Sequence, residues 1–148
     1  MTYDPHAVYL MRNEWSEANF KIGISNRPFR RHLEVDDQYG VSSRIITTCW
    51  FPNRHFAGKA ELIWHKRYNE LQTDDHGGRE WFSLGKTQID EFCAWAELSM
   101  PGDALKQWLF RDGAPYREVK AFVSELFNGI PKRTYHPSID VWTNSLMT

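Results

Sequence analysis

Residues 7–11 (AVYLM) and residues 20–25 (FKIGIS) are two short apolar runs separated by a mostly polar stretch. This arrangement predicts two antiparallel strands joined by a long hairpin loop. Because side chains alternate along a strand, Tyr9 and Lys21 fall on the same face of the hairpin. Burial of the two all-apolar faces would leave these two residues on the more accessible side of the sheet.

The segment after the hairpin predicts a helix. Pro28 suits its first turn, with Asn26 as the cap. This helix is expected to run to about Gln38 and to stop at Gly40. The elements expected after it are, in chain order, a strand at 44–51, a helix at 56–71, a loop at 72–79, a short extended segment at 80–84 and helices at 87–98, 103–110 and 115–127. The predicted class is α+β: a small three-stranded antiparallel-type sheet flanked by helices, with additional C-terminal helices.

The composition suits one folded domain. The chain has 148 residues, of which 41% are hydrophobic and 15% aromatic, so wholesale disorder is not expected. We assign residues 1–99 to this domain and residues 100–148 to a helical extension and extended tail packed on or near it. No apolar run reaches the roughly 18 residues of a membrane helix, and the N-terminus lacks a signal-peptide pattern.

Charge and cysteine usage narrow the class of protein. The formal net charge of −1 argues against a large nonspecific surface for polyanions. A compact basic site stays open, because Arg27, Arg30 and Arg31 lie in one short segment without an acid between them. Cys49 and Cys93 lie in apolar stretches without a CxxC or histidine partner, so we expect reduced core thiols, no zinc site and a cytoplasmic location.

Four residues are candidates for chemistry: Tyr9, Arg31, Glu61 and His65. Each alone has an ordinary structural explanation, as a strand aromatic, a solvated surface charge or a core histidine. Glu61 and His65 are four residues apart, so they share a face of the predicted helix. Their order along the chain is more informative than any one of them.

In sequence order, the chain carries Val8-Tyr9, Lys21-Ile22-Gly23, Arg31, Glu61 with His65, and Glu80-Trp81-Phe82. This series resembles the GIY-YIG nuclease superfamily, in the phage-type branch with a KIG motif (T5orf172-like or MUG113-like). The resemblance covers residues 7–84. It departs from the superfamily pattern at the first motif, which has Ala7 and Val8 for Gly and Ile, and at Lys21, where most relatives have tyrosine.

The resemblance implies a metal-dependent endonuclease that hydrolyses phosphodiester bonds of nucleic acid, with DNA favoured over RNA. Such an enzyme, if phage-encoded, would act in the host cytoplasm. Glu61 would bind one divalent cation, Mg²⁺ or Mn²⁺. Arg31 would stabilise charge on the phosphate, and Tyr9 would take a proton from the attacking water. Lys21 would favour the phenolate form of Tyr9 or contact a phosphate. The expected nucleic-acid ligands are Lys21, Arg27 and Arg30.

Several roles stay open at this point. His65 could hold Glu61, contact the scissile phosphate or relay a proton, and His32 ranks lower because it is expected on a different helix face from its neighbour Arg31. Glu80 could be a partner for Arg31, which is a weaker assignment than the others.

Aromatic residues are expected to serve mainly in packing. Trp81 and Phe82 are large enough to seal the sheet against the helix that carries Glu61. In the C-terminal region, core packing or a homodimer contact is favoured over base stacking, because the aromatics follow helical spacings. These aromatics are Trp108, Phe110, Tyr116, Phe122, Phe127 and Trp142. No membrane partner is expected.

Two other function classes compete with the enzyme. A nuclease-derived fold could hold nucleic acid or protein without cutting, but a decayed site would be expected to lose one of Tyr9, Arg31 and Glu61. A helical interaction protein would explain the C-terminal region but not the motif spacing in residues 7–65. Retention of all three side chains favours the enzyme.

Overall fold

A computed structural model describes residues 2–16, 18–73 and 80–132. The strands of the described residues are β1 His6–Asn13, β2 Asn19–Ser25, β3 Ser43–Phe51 and β4 Trp81–Ser83. The helices are α1 Pro28–Tyr39, α2 Arg54–Arg67, α3 Lys86–Ala96, α4 Gly102–Lys106 and α5 Tyr116–Gly129. A 3₁₀ turn, Asn69–Leu71, follows α2, and a π-helical turn, Gln107–Arg111, extends α4.

The strands form one antiparallel sheet in the order β3-β1-β2-β4, and the predicted α+β class is confirmed. The sheet has four strands where three were predicted, because the extended segment near Trp81 pairs with the first half of β2. In the predicted hairpin, Tyr9 lies opposite Gly23 and Met11 lies opposite Lys21. This register brings Tyr9 and Lys21 diagonally together on one face.

Local signals set the ends of the two helices nearest the sheet. Pro28 begins α1, and Gly40 ends it with a φ of 64°, in the left-handed region that glycine favours. The cap position is Arg27 rather than Asn26, which lies one residue too early for that position. At the start of α2, the Asn53 side chain accepts a hydrogen bond of 3.0 Å from the Phe56 backbone amide.

The predicted helix at 56–71 is α2, which begins two residues earlier and ends at Arg67. The chain then tightens into the 3₁₀ turn next to Tyr68, which is buried. The predicted loop at 72–79 lies largely outside the described residues, which resume at Glu80. The three C-terminal helices are confirmed as α3, as α4 with its π-helical extension, and as α5.

The main core lies between one face of the sheet and helices α2, α3 and α5. Within it, Trp64 is fully buried and packs on Phe92 and Trp95 at centroid separations of 4.8 and 5.2 Å. Trp95 also donates a hydrogen bond of 2.7 Å from Nε1 to the Leu126 carbonyl oxygen. Helix α5 therefore belongs to the same core as the sheet.

The opposite face of the sheet lies under α1. A second cluster there consists of Tyr9, Met11, Val35, Val41 and Trp81. The prediction that this face is the more accessible one is wrong: Tyr9 is 0% exposed and Lys21 is 2% exposed. Both are covered because α1 and the Trp81 side chain close the face.

The aromatic residues split between packing and exposure. Phe82 lies in the main core, as predicted, whereas Trp81 covers the other face. In the C-terminal helices, Trp108 packs on Phe122 and Phe127 packs on Phe51, while Phe110 and Tyr116 are exposed. Trp142 lies outside the described residues.

Two remaining expectations concern membranes and thiols. No helix of the described part of the chain is long and apolar enough to cross a bilayer. Cys49 and Cys93 are free thiols, the first buried and the second half-buried. Burial raises the pKa of the Cys49 thiol to about 12, so this side chain is an inert core residue.

Candidate active site

The centre of the candidate site is a chain of three polar groups, of which Tyr9 and Lys21 are buried and Glu80 is partly exposed. The Lys21 ammonium donates a hydrogen bond of 2.8 Å from Nζ to the Tyr9 hydroxyl oxygen. The same nitrogen forms an ion pair of 2.5 Å with Glu80 Oε2. Burial acts to lower the pKa of Lys21, but Tyr9 and Glu80 outweigh it and the pKa is raised. Lys21 is therefore a charged ammonium next to the tyrosine hydroxyl.

Gly23 leaves the space that this chain of groups occupies. A Cβ placed at Gly23 would lie 2.5 Å from Tyr9 Oη, 2.7 Å from Tyr9 Cζ and 2.9 Å from Lys21 Nζ. Real Cβ atoms do not approach other atoms so closely, so any larger residue would displace the tyrosine or the lysine. The glycine of the KIG motif thus has a packing reason that is specific to this pair.

Arg31 approaches the same tyrosine from α1. Its Nη1 donates a hydrogen bond of 3.1 Å to Glu34 Oε2, one turn further along the helix. Partial burial acts to lower the pKa of Arg31, but Glu34 and the neighbouring Tyr9 raise it, so the guanidinium stays charged. The guanidinium is also close enough to the tyrosine hydroxyl for the two groups to interact.

Glu61 reaches the site from α2. Burial, reinforced by the charge of Glu80, raises the pKa of Glu61 to about 7, although Lys21 and Arg54 act in the opposite direction. Its Oε2 is buried and has no hydrogen-bond partner among the described residues. A buried carboxylate oxygen without a partner is unfavourable unless another group, such as a cation, satisfies it.

The Glu61 carboxylate is a suitable ligand for a divalent cation such as Mg²⁺, which takes few of its ligands from the protein. No group of three or more His, Cys, Asp or Glu side chains suited to a metal occurs in residues 2–16, 18–73 and 80–132. Glu61, whose buried Oε2 has no partner among the described residues, is the side chain that would hold the cation. Mg²⁺ dehydrates reluctantly and usually keeps several waters, so one carboxylate oxygen is compatible with it.

His65 contacts β2 next to the point where β4 begins. Its Nε2 donates a hydrogen bond of 2.8 Å to the Ile22 carbonyl oxygen, and its ring packs 5.2 Å from that of Phe82. Burial lowers the pKa of His65 despite the Ile22 hydrogen bond and the charge of Glu80. The imidazole is therefore neutral near pH 7, with the proton on Nε2.

Two grooves meet at the end of β2. The first has a volume of about 340 Å³ and is lined by Ser25, Asn26, Arg27, Arg30, Arg31 and Glu34. The second has a volume of about 590 Å³ and is lined by Ile24, Arg54, His55, Gly58, Lys59, Glu61 and Leu62. The end of β2 separates them, because Ile24 lines one groove and Ser25 lines the other.

Residues 6–97 match the family model of the T5orf172 domain, which is more than half of the chain. The chain belongs to the T5orf172 domain family. This family is associated with GIY-YIG-like nucleases and phage-type endonucleases, which confirms the resemblance. No curated protein and no solved structure has significant similarity to the chain.

The T5orf172 fold brings the five predicted catalytic side chains into one neighbourhood. Tyr9, Lys21 and Arg31 lie together, and the charges of Lys21 and Glu80 act on both Glu61 and His65. The predicted nucleic-acid ligands Arg27 and Arg30 line the same groove as Arg31. Their catalytic and binding roles stay predictions. His32 contacts Ser43 and Asp36 instead.

One ion-pair partner predicted from the sequence is wrong in this T5orf172 site. Glu80 was suggested as a partner for Arg31, but it pairs with Lys21, and Arg31 pairs with Glu34. The cause is the register of β4: Trp81 lies opposite Lys21, so the preceding residue lies next to the lysine. The spacing of the motifs does not encode this register, because it depends on the loop before β4.

Proposed function

We propose that this protein is a divalent-metal-dependent endonuclease that hydrolyses phosphodiester bonds of nucleic acid, with DNA as the favoured substrate. The observation that carries the proposal is that a phenol and a guanidinium lie together, and that a carboxylate with an unpartnered oxygen is linked to them through the charge of Lys21. These three groups come from β1, α1 and α2, and they lie far apart in the chain. Core packing alone would not require such an arrangement.

Each group suits one requirement of phosphodiester hydrolysis. Arg31 presents a planar fork of donors that matches the phosphate oxygens, and it would stabilise the charge that grows on them. The Lys21 ammonium at 2.8 Å would favour the phenolate form of Tyr9, which would accept a proton from the attacking water and become a neutral phenol. Glu80 holds the ammonium in place through the ion pair of 2.5 Å.

Glu61 would supply the protein ligand of the cation. A bound Mg²⁺ or Mn²⁺ would polarise the phosphate and assist the departing oxygen. In the cation-free protein, the raised pKa of Glu61 leaves its carboxyl only partly ionised at pH 7. His65 would keep the edge of β2 in place through Ile22, so that the carboxylate faces a fixed strand.

One observation favours the alternative, a module that binds nucleic acid without cutting it. Tyr9 is 0% exposed, so no water reaches its hydroxyl in this conformation. For cleavage, a substrate phosphate would have to draw Arg31 away from Glu34 and open a path to Tyr9. The Arg31 side chain is 35% exposed and its partner Glu34 is 56% exposed, which makes this exchange of partners feasible at the surface.

A cleavage assay separates the two functions. Purified protein is incubated with supercoiled plasmid and with labelled single strands, in Mg²⁺, in Mn²⁺ or in EDTA. We expect cation-dependent cutting that falls by about 100-fold or more in Glu61→Gln, because the only ionisable ligand proposed for the cation is lost. Glu125→Gln on the exposed face of α5 is the matched control and should cut like the wild type.

Two outcomes would contradict the proposed metal-dependent endonuclease. Cutting that survives EDTA, or that Glu61→Gln retains in full, would show that the carboxylate and the cation are not needed. Binding of DNA without cutting under every cation condition would establish the alternative module.

A further inference from the structure

The groove on the α2 side of β2 has a basic rim that the proposed chemistry does not use. Arg54 begins α2, Lys59 follows one turn later, and both side chains are exposed. Neither forms an ion pair with another residue in the described part of the chain. Both line the groove that also contains Glu61. Two cations without acidic partners therefore flank the candidate metal ligand.

The groove is open between these two cations. Gly58 lies between them on α2, and a Cβ placed there would meet no atom within 4 Å. Arg54 is also close enough for its charge to act on the Glu61 carboxylate. An extended anion could therefore pass along Arg54 and Lys59 and still reach Glu61.

We infer that Arg54 and Lys59 form a second phosphate-binding track, which holds the nucleic-acid backbone on the side of the cleaved bond opposite to Arg27 and Arg30. The two basic grooves flank the end of β2, with Arg31 in one and Glu61 in the other. A strand of nucleic acid carries phosphates in both directions from any one bond. A phosphate held between Arg31 and Glu61 thus directs its neighbours into both grooves. This inference rests on the proposed function.

The salt dependence of DNA binding tests the track. Binding to a fluorescein-labelled DNA duplex, and to one strand of it, is measured by anisotropy in EDTA over a range of NaCl concentrations. Each phosphate contact contributes about 0.9 to the slope of log K against log salt for duplex DNA and about 0.7 for a single strand. The double variant Arg54→Ala/Lys59→Ala should lower that slope by about 1 to 2 on the probe that the wild type binds more tightly.

Two matched double variants make the result specific. Lys66→Ala/Lys120→Ala also removes two exposed cations, but these line the cleft between α2 and α5, which Lys59 borders and Arg54 and Glu61 do not, so its slope should equal that of the wild type. Arg27→Ala/Arg30→Ala should lower the slope by a similar amount to the track variant, because both grooves would hold phosphates. Circular dichroism confirms that each variant is folded.

The possible failures are distinguishable. If the wild type binds the duplex and Arg27→Ala/Arg30→Ala lowers the slope while Arg54→Ala/Lys59→Ala does not, the second track is wrong and the proposed function stands. An equal fall in the salt slope for Lys66→Ala/Lys120→Ala would also overturn the second track, since the change in net charge alone would then explain the effect. If the wild type binds neither probe, the track is wrong, and the cleavage assay in Mg²⁺ or Mn²⁺ decides the proposed function separately.

Discussion

The two faces of the sheet are equally buried but differ in chemistry. Leu10 and Ile22 point into the main core, and their sequence neighbours Tyr9 and Lys21 point under α1. All four are between 0 and 2% exposed. On the core face, apolar side chains contact one another, whereas on the α1 face a hydroxyl and an ammonium satisfy each other. Burial therefore does not separate the core from the site in this fold, and polar pairing does.

The largest effects are expected from single substitutions at two neighbouring positions of β1. Leu10→Ala should lower the free energy of unfolding by about 2–5 kcal/mol, because it leaves a cavity in the core. Tyr9→Phe should lower it by about 1.5–3 kcal/mol, because its hydrogen bond is to the charged Lys21 ammonium, but should reduce cleavage by about 100-fold or more. Urea unfolding and the plasmid assay measure the two quantities.

The contrast between the two faces of the sheet would be wrong if the two variants had the same stability or the same cleavage activity. Equal losses of stability would mean that the Tyr9 hydroxyl is as structural as the Leu10 side chain. Full cleavage by Tyr9→Phe would remove the phenol from the proposed chemistry and leave only its packing role.

The hairpin was predictable from the sequence because its alternation is a local property. The period of two placed Tyr9 and Lys21 on one face, and the structure joins them by a hydrogen bond. Their burial was not predictable in the same way. Helix α1 buries only Pro28 and Val35 fully, so its sequence gives little sign that it covers the sheet. Covering depends on how the helix packs, which is a tertiary property.

The candidate site was predictable as a set of residues but not as a set of pairs. Motif order selected Tyr9, Lys21, Arg31 and Glu61, which the fold brings together. The pairing of Glu80 with Lys21 depends on how β4 aligns with β2, and the unpartnered state of Glu61 Oε2 depends on three-dimensional burial. A single sequence contains no local signal for either property.

A smaller effect is expected from adding one methyl group to each of two glycines. Gly23→Ala should destabilise the fold by about 1–3 kcal/mol, because the new Cβ would displace Tyr9 and Lys21. Gly58→Ala adds the same methyl group to an open site inside α2 and should stabilise the fold by up to about 1 kcal/mol. Thermal unfolding of both variants gives the comparison, and cleavage should fall in Gly23→Ala because Tyr9 and Lys21 are displaced. A stable, active Gly23→Ala would show that the polar face tolerates shifts that a packed core does not.

The smallest effect concerns the dependence of stability on pH. The Glu61 carboxyl has a pKa of about 7 in the folded protein, and an unfolded glutamate has one near ~4.3. Its protonation therefore favours the folded state below pH ~4.3, and this contribution is lost as the pH rises to about 7. Glu61→Gln stays neutral throughout, so it should be more stable than the wild type at pH 8 in EDTA, by about 1 kcal/mol after allowance for its partial exposure. The difference should shrink towards pH 5.

Urea unfolding at both pH values measures it, and parallel stability curves for the two proteins would mean that the carboxylate is already satisfied without a cation. A difference that closes again at pH 8 when Mg²⁺ replaces EDTA would identify the cation as the group that offsets the cost of this buried charge.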